Sequence, residues 1–125
     1  MSYVFISYSR VDIRFAKTMV KSLEAQNHDT WIDYRDLDLT LSLETQLAYA
    51  IEKANKLLLI SSTHSQASVW VDFEITLARS YRKTIDVICI PSPDYISSAN
   101  YTSQIPELNY SCRAVQHFVG LPRSP

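Results

Sequence analysis

The sequence is nearly devoid of glycine. Gly120 is the single one in 125 residues, where average usage would give roughly nine. That scarcity excludes the glycine-rich phosphate loops, since neither G-x-x-x-x-G-K-[ST] nor G-x-G-x-x-G occurs. The nucleophile elbow G-x-S-x-G is absent as well. A nucleotide bound here must be held some other way. Cysteine is also scarce, with two residues. Cys89 lies in the apolar run 85–90 and reads as a small buried hydrophobe. Cys112 sits in a polar stretch, and the pair forms neither C-x-x-C nor zinc spacing. Such cysteine usage points to a reducing, cytoplasmic compartment. Charge of one sign is lacking too: 12 Lys+Arg stand against 13 Asp+Glu, a net −1. The basic footprint of a nucleic-acid binder is therefore missing. No apolar run approaches the ~20 residues of a membrane helix, and the N-terminus lacks the charged region of a signal peptide.

What is present is an ordinary globular composition, 46% apolar and 20% charged. It fits one soluble domain able to bury a core without staples. Residues 3–8 are β-rich and nearly all apolar, like a buried parallel strand. Ser9 and Asp12 then read as a capping box opening a helix. Phe15, Met19, Val20 and Leu23 mark one face of that helix. Residues 30–33 form a short second strand, and 34–42 a polar, leucine-bearing loop. A second helix is expected over 43–54, and the apolar run 56–61 is the third strand. A hydroxyl-rich loop (63–68) leads to a third helix carrying Val69, Trp70, Phe73, Leu77, Ala78 and Tyr81. Residues 84–91 make a fourth strand stopped by Pro91, and 114–119 a short fifth.

Strands alternating with helices imply a parallel sheet covered on both faces. Five strands suggest a flavodoxin-like α/β fold of order 2-1-3-4-5, with ligands bound beyond the carboxyl ends of the strands. Three loops should meet there: 7–12, 33–42 and 61–70. Because such folds usually close with a helix, and little chain follows the fifth strand, residues 1–125 are expected to be a single domain at the N-terminal part of a longer multidomain protein.

Trp70 and Glu74 are four apart on the third helix, hence on one face. An aromatic plate beside a carboxylate could hold a ring and a ribose, and the carboxylate could offset positive charge on the sugar. On spacing alone, Trp70 in the core and Glu74 in solvent is the plainer alternative. Arg10, directly after the first strand, could pair with a pyrophosphate in place of a glycine-rich loop. Asp12 fits a helix-capping role. Asp33, Asp36 and Asp38 miss the EF-hand spacing, so no metal is expected. A phosphate-accepting Asp at the end of the third strand is replaced by Ser61 and Ser62, which excludes a phosphorelay receiver. His28, His64 and His117 are scattered, with no orienting acid for a Ser/His hydrolase.

Val4-Phe5-Ile6-Ser7-Tyr8-Ser9-Arg10-x-Asp12 resembles the first box of TIR (Toll/interleukin-1 receptor) domains. Trp31-Ile32-Asp33 resembles their second-strand signature. Leu58-Leu59-Ile60-Ser61, followed by Trp70-Val71-Asp72-Phe73-Glu74, resembles their third strand and W-x-x-x-E helix. The ordered set spans residues 3–91 and is similar to bacterial members.

The resemblance implies an NAD+ nucleosidase that cleaves the nicotinamide–ribose bond, giving ADP-ribose or a cyclic isomer, in signalling or defence. Glu74 would be the catalytic residue, with Ser9, Arg10, Asp38 and Trp70 as substrate-binding residues. NAD+ would be substrate, with no cofactor. Self-association through TIR–TIR contacts would complete the site. The alternative it implies is a non-enzymatic TIR–TIR adaptor. One departure stands out: the loop after the second strand reads Asp38-Leu39-Thr40-Leu41-Ser42, without the usual Pro or Gly near its tip.

Overall fold

Successive side chains of a strand point to opposite faces of its sheet. In β1 (Val4–Ser7) all four side chains are buried, so β1 must lie inside a sheet covered on both sides. The computed structural model, which describes residues 2–90, has that architecture. β2 (Thr30–Trp31), β3 (Lys56–Ser61) and β4 (Thr84–Cys89) join β1 in the order β2-β1-β3-β4. Every pairing is parallel, with Ser7 opposite Leu59 and Ser61 opposite Cys89. This is the expected order through the fourth strand. The described residues hold four strands rather than five. The segment expected to supply the fifth, 114–119, lies outside them, as do Pro91, Cys112, His117 and Gly120.

Two apolar layers sandwich the sheet. On one side, Val4, Ile6, Leu58 and Ile60 meet Phe15, Met19, Val20 and Leu23 of α1 (Ile13–Ala25). On the other, Phe5, Leu57 and Leu59 meet Leu47 and Ile51 of α3 (Leu43–Lys53) and Val71 and Ile75 of α5 (Val69–Ser80). Each such side chain contributes roughly 1.5–3 kcal/mol when fully buried. Phe5 also stacks on Trp31, centroids 5.0 Å apart, which fixes the short β2 against β1. No helix among the described residues is long and apolar enough to cross a membrane.

Several local expectations are corrected. The loop after β2 begins with one helical turn, α2 (Asp33–Asp36), held by the Asp36 carboxylate accepting from the Ile32 amide at 2.9 Å. The loop after β3 contains α4 (Thr63–Gln66), where Ser62 and Ser65 form a reciprocal capping box. Ser9 instead caps a 3-10 turn (Arg10–Asp12) by accepting from the Val11 amide. Asp12 makes no side-chain cap; its carboxylate accepts from Ser62 Oγ and ties the end of β1 to the end of β3. α5 is turned relative to the expected apolar stripe. Val71, Ile75 and Ala78 face inward, while Val69 and Trp70 are exposed. Cys89 is half-buried rather than buried.

The scarcity of glycine reappears at helix ends. α1 closes with His28 N–H donating to the Leu23 carbonyl and Asn27 N–H to that of Glu24. α5 closes the same way, Lys83 N–H to Ala78 and Arg82 N–H to Arg79. This paired ending requires a left-handed residue, usually glycine. Here Asn27 (φ 69°) and Arg82 (φ 58°) fill it. Asparagine tolerates that region because its short polar side chain can hydrogen-bond locally, whereas at arginine the clash of the Cβ costs about 1 kcal/mol or more.

Candidate active site

Alternation along β1 puts Ser7 on the Phe5 side, the side covered by α3 and α5. There Ser7 Oγ donates to Glu74 Oε1 at 2.7 Å. Ser7 is fully buried and Glu74 is 7% exposed. Glu74 is inward because it shares a face with Val71, Ile75 and Ala78.

Beyond the strand ends lies a cavity of about 290 Å³ with Glu74 in its wall. The end of β1 supplies Tyr8 and Arg10, and α2 supplies Asp33. Leu37, Leu43 and Leu47 form an apolar side, and Ser68 and Trp70 come from the start of α5. Trp70 is 45% exposed and stands edge-on to Phe73, centroids 5.7 Å apart. Asp33 organises the opposite rim. Its Oδ1 accepts from the Tyr8 hydroxyl at 2.6 Å and its Oδ2 from Arg10 Nε at 3.1 Å.

Burial pushes the Glu74 carboxyl up to about 8; the Ser7 hydrogen bond draws it down, and the nearby negative Asp33 raises it. No ion pair of Glu74 occurs among the described residues, so no cation offsets the burial of its carboxyl. Burial and the bond to Asp33 raise the Tyr8 phenol far above its usual range, which keeps it a proton donor. A site with an apolar side, an aromatic edge and an uncompensated carboxyl suits a flat organic cation. The guanidinium nitrogens of Arg10 that do not bind Asp33 can meet an anion at the rim.

Of the residues singled out in the sequence, Glu74, Trp70 and Arg10 line this one cavity. Ser9 and Asp38 do not. Ser9 is occupied in capping its 3-10 turn. Asp38 is exposed, and its carboxylate accepts from the Thr40 amide and hydroxyl, which hold it below the usual carboxylate range. The three loop aspartates do not converge: Asp33 faces Tyr8 and Arg10, Asp36 pairs with Arg35, and Asp38 with Thr40. No cluster of metal-binding side chains occurs among the described residues.

Sequence reasoning passed over Ser7, Tyr8 and Asp33 as site residues. The signal for Ser7 was the period of two, which places it with Phe5 beneath α5. Asp33 was recognisable as the last residue of the second-strand signature and as one of three loop acids, but not as a partner of Tyr8. Its link to Tyr8 spans 25 residues and no local pattern encodes it.

Comparison with known proteins agrees on the fold. The TIR domain family model matches residues 4–103. Among solved structures, the TIR domains of the activated Roq1 resistosome that directly recognises the pathogen effector XopQ are similar, with TM-score 0.62 and 20% identity. That match covers 69% of this chain and 55% of the Roq1 chain, so the present chain spans about half of that relative's length. The TIR domain of the Toll-related receptor TRR-2 from Hydra magnipapillata gives TM-score 0.63 and 20% identity, covering 78% of this chain and 80% of that one. No curated protein sequence matches. Identity this low speaks for the fold alone, but the family match runs from the first strand past the fourth and takes in every strand and helix described above: the chain belongs to the TIR domain family.

Proposed function

We propose that this chain is an NAD+ nucleosidase. It breaks the bond between nicotinamide and ribose, and the observation that carries this reading is the buried, uncompensated Glu74 carboxyl in the wall of a cavity shared with Trp70. The TIR family includes NAD-cleaving enzymes and scaffolds. The position of Glu74 favours the enzyme, because a scaffold gains nothing from a carboxyl whose burial costs stability.

In this reading the nicotinamide ring lies against Trp70 and the leucine side, and its ribose meets Glu74. Arg10 faces the pyrophosphate. The bond between the sugar carbon and the ring nitrogen breaks, and its electron pair goes to the nitrogen. The cationic ring leaves as neutral nicotinamide, so no general acid is needed. The sugar becomes an oxocarbenium-like cation, which the Glu74 carboxylate stabilises. Water adds and loses a proton to give ADP-ribose, or a ring nitrogen of the adenine adds to give the cyclic isomer. The protein supplies no redox chemistry, and NAD+ is consumed as substrate.

Self-association belongs to this proposal. Leu39 is 88% and Leu41 59% exposed in the loop between α2 and α3. Large apolar side chains displayed together suit contact with a second copy, and the Roq1 relative is described within a resistosome. The same exposure favours a second reading, a TIR–TIR scaffold without catalysis.

The test is nicotinamide release from NAD+ by the full chain at high concentration, with products separated by chromatography. Wild type is expected to release nicotinamide, Glu74→Ala is expected to release none, and Leu39→Asp with Leu41→Asp is expected to reduce release while leaving the monomer folded. No release under any assembled condition favours the scaffold. Equal activity of wild type and Glu74→Ala removes Glu74 from the mechanism.

A further inference from the structure

Ser7 and Ser61 close adjacent parallel strands and face the same layer. Ser7 lies on the Phe5 side, and Ser61 on the side of Leu57 and Leu59. Both are buried, at 0% and 2% exposure. Their hydroxyls differ in one respect. Among the described residues Ser61 Oγ has no hydrogen-bond partner, whereas Ser7 Oγ donates to Glu74 Oε1 at 2.7 Å from 67 residues away. A buried hydroxyl is therefore not sufficient for the contact, which depends on where β1 ends beneath α5.

We propose that Ser7 is the positioning residue of Glu74: it grips one carboxylate oxygen from the strand and leaves the other for the occupant of the cavity. The catalytic consequence rests on the nucleosidase reading; the grip itself does not. Glutamate has three rotatable side-chain bonds, and near the cavity it has Ser7 as its hydrogen-bond partner among the described residues. Without that bond the carboxyl keeps its burial but loses its fixed direction, and loose supporting contacts are costly at reacting centres. The other polar groups at the cavity act at its rim. Tyr8 and Arg10, from the β1 end, are joined to Asp33 of α2. α3 brings only Leu43 and Leu47, and the start of α5 brings Ser68 and Trp70. Ser68 Oγ caps its own helix by accepting from the Val71 amide. Among the described residues, Ser7 alone holds Glu74 by a side-chain hydrogen bond.

The experiment compares Ser7→Ala with Ser61→Ala in the full chain. Glutamate carboxyl carbons are labelled with 13C, the Glu74 signal is identified by its loss in Glu74→Gln, and its titration is followed by NMR beside nicotinamide release. In Ser7→Ala the Glu74 midpoint is expected to move to higher pH, because a bond to the charged form is lost. The same variant is expected to lose about tenfold or more in kcat with KM little changed, as for an interaction used mainly in the transition state. Ser61→Ala is expected to match wild type in both. An unmoved Glu74 midpoint in Ser7→Ala overturns the proposal whatever the activity. So does an equal loss in Ser61→Ala, which would mark general packing at the strand ends. A midpoint moved by Ser7→Ala, with no nicotinamide released by wild type, upholds the grip and refutes the nucleosidase.

Discussion

The Tyr8 hydroxyl donates to one oxygen of Asp33 at 2.6 Å, and this bond joins the strand that opens the chain to the turn that follows β2. The other Asp33 oxygen accepts from Arg10 Nε. One carboxylate thus orients both a phenol and a guanidinium on the cavity rim. Asp33→Ala is expected to bring the Tyr8 phenol back toward its normal range, since the bond to Asp33 and its charge both hold the proton on. Ultraviolet titration of the phenolate, compared with Tyr8→Phe, reads the change. KM for NAD+ is expected to rise about tenfold, because Arg10 loses its fixed direction.

Activity is expected to climb with pH. In the proposed reaction Glu74 acts as an anion, and burial raises its carboxyl to about 8. The ionised fraction grows as pH rises toward that value, so kcat/KM should increase from pH 6 and level off above about 8. A bound cationic ring favours the ionised form, so kcat should level off at lower pH than kcat/KM. Rate measurements from pH 5.5 to 9 check both.

Stability should move the opposite way. In the unfolded chain Glu74 ionises near its ordinary 4.5, and in the folded chain near 8. Between these values the folded state binds more protons, so Glu74 costs the fold progressively more as pH rises through that window. Glu74→Gln is expected to leave stability at pH 4 nearly unchanged and to add on the order of a few kcal/mol at pH 8. Denaturant midpoints at the two pH values measure it. The variant is expected to be inactive, a trade of stability against function at one residue.

Arg82→Gly is expected to stabilise the fold by about 1 kcal/mol, because glycine enters the left-handed region without a Cβ clash. Asn27→Gly should gain less, since asparagine already tolerates that region. Thermal melts of both variants test the order. In ordinary proteins glycine substitutions at helices destabilise, so the sign of the change is diagnostic.

Period and alternation made the sheet order legible through β4, because β1 and β3 are apolar on both faces and the helices between them carry apolar stripes. The phase of α5 was not. Val69, Trp70 and Phe73 compete with Val71, Ile75 and Ala78 for the inner face, and only packing against α3 and the sheet decides between them. That choice turns Glu74 inward and Trp70 half out, so the most consequential residue of the site depended on tertiary contacts. The short turns α2 and α4 were missed because each is set by side-chain bonds, Asp36 to Ile32 and Ser62 with Ser65, rather than by an apolar period. Asp38 drew attention as an acid in the right loop. Its partner Thr40 lies two residues on, an Asx-type arrangement that its own sequence already offered.

All four described strands of this sheet run the same way, so none of them can pair with its successor through a tight turn. On the ribosome, β1 emerges first and must wait for residues 30–31 and 56–61 before both flanks are covered. Ser7 waits longer still, for a carboxyl 67 residues downstream. A message cut short before codon 74 therefore encodes the other residues that line the cavity, from Tyr8 to Trp70, but not its acid. Fragments released by stalled synthesis hold an incomplete site, and Ser7 gains its carboxyl partner only in a chain that has been read into α5.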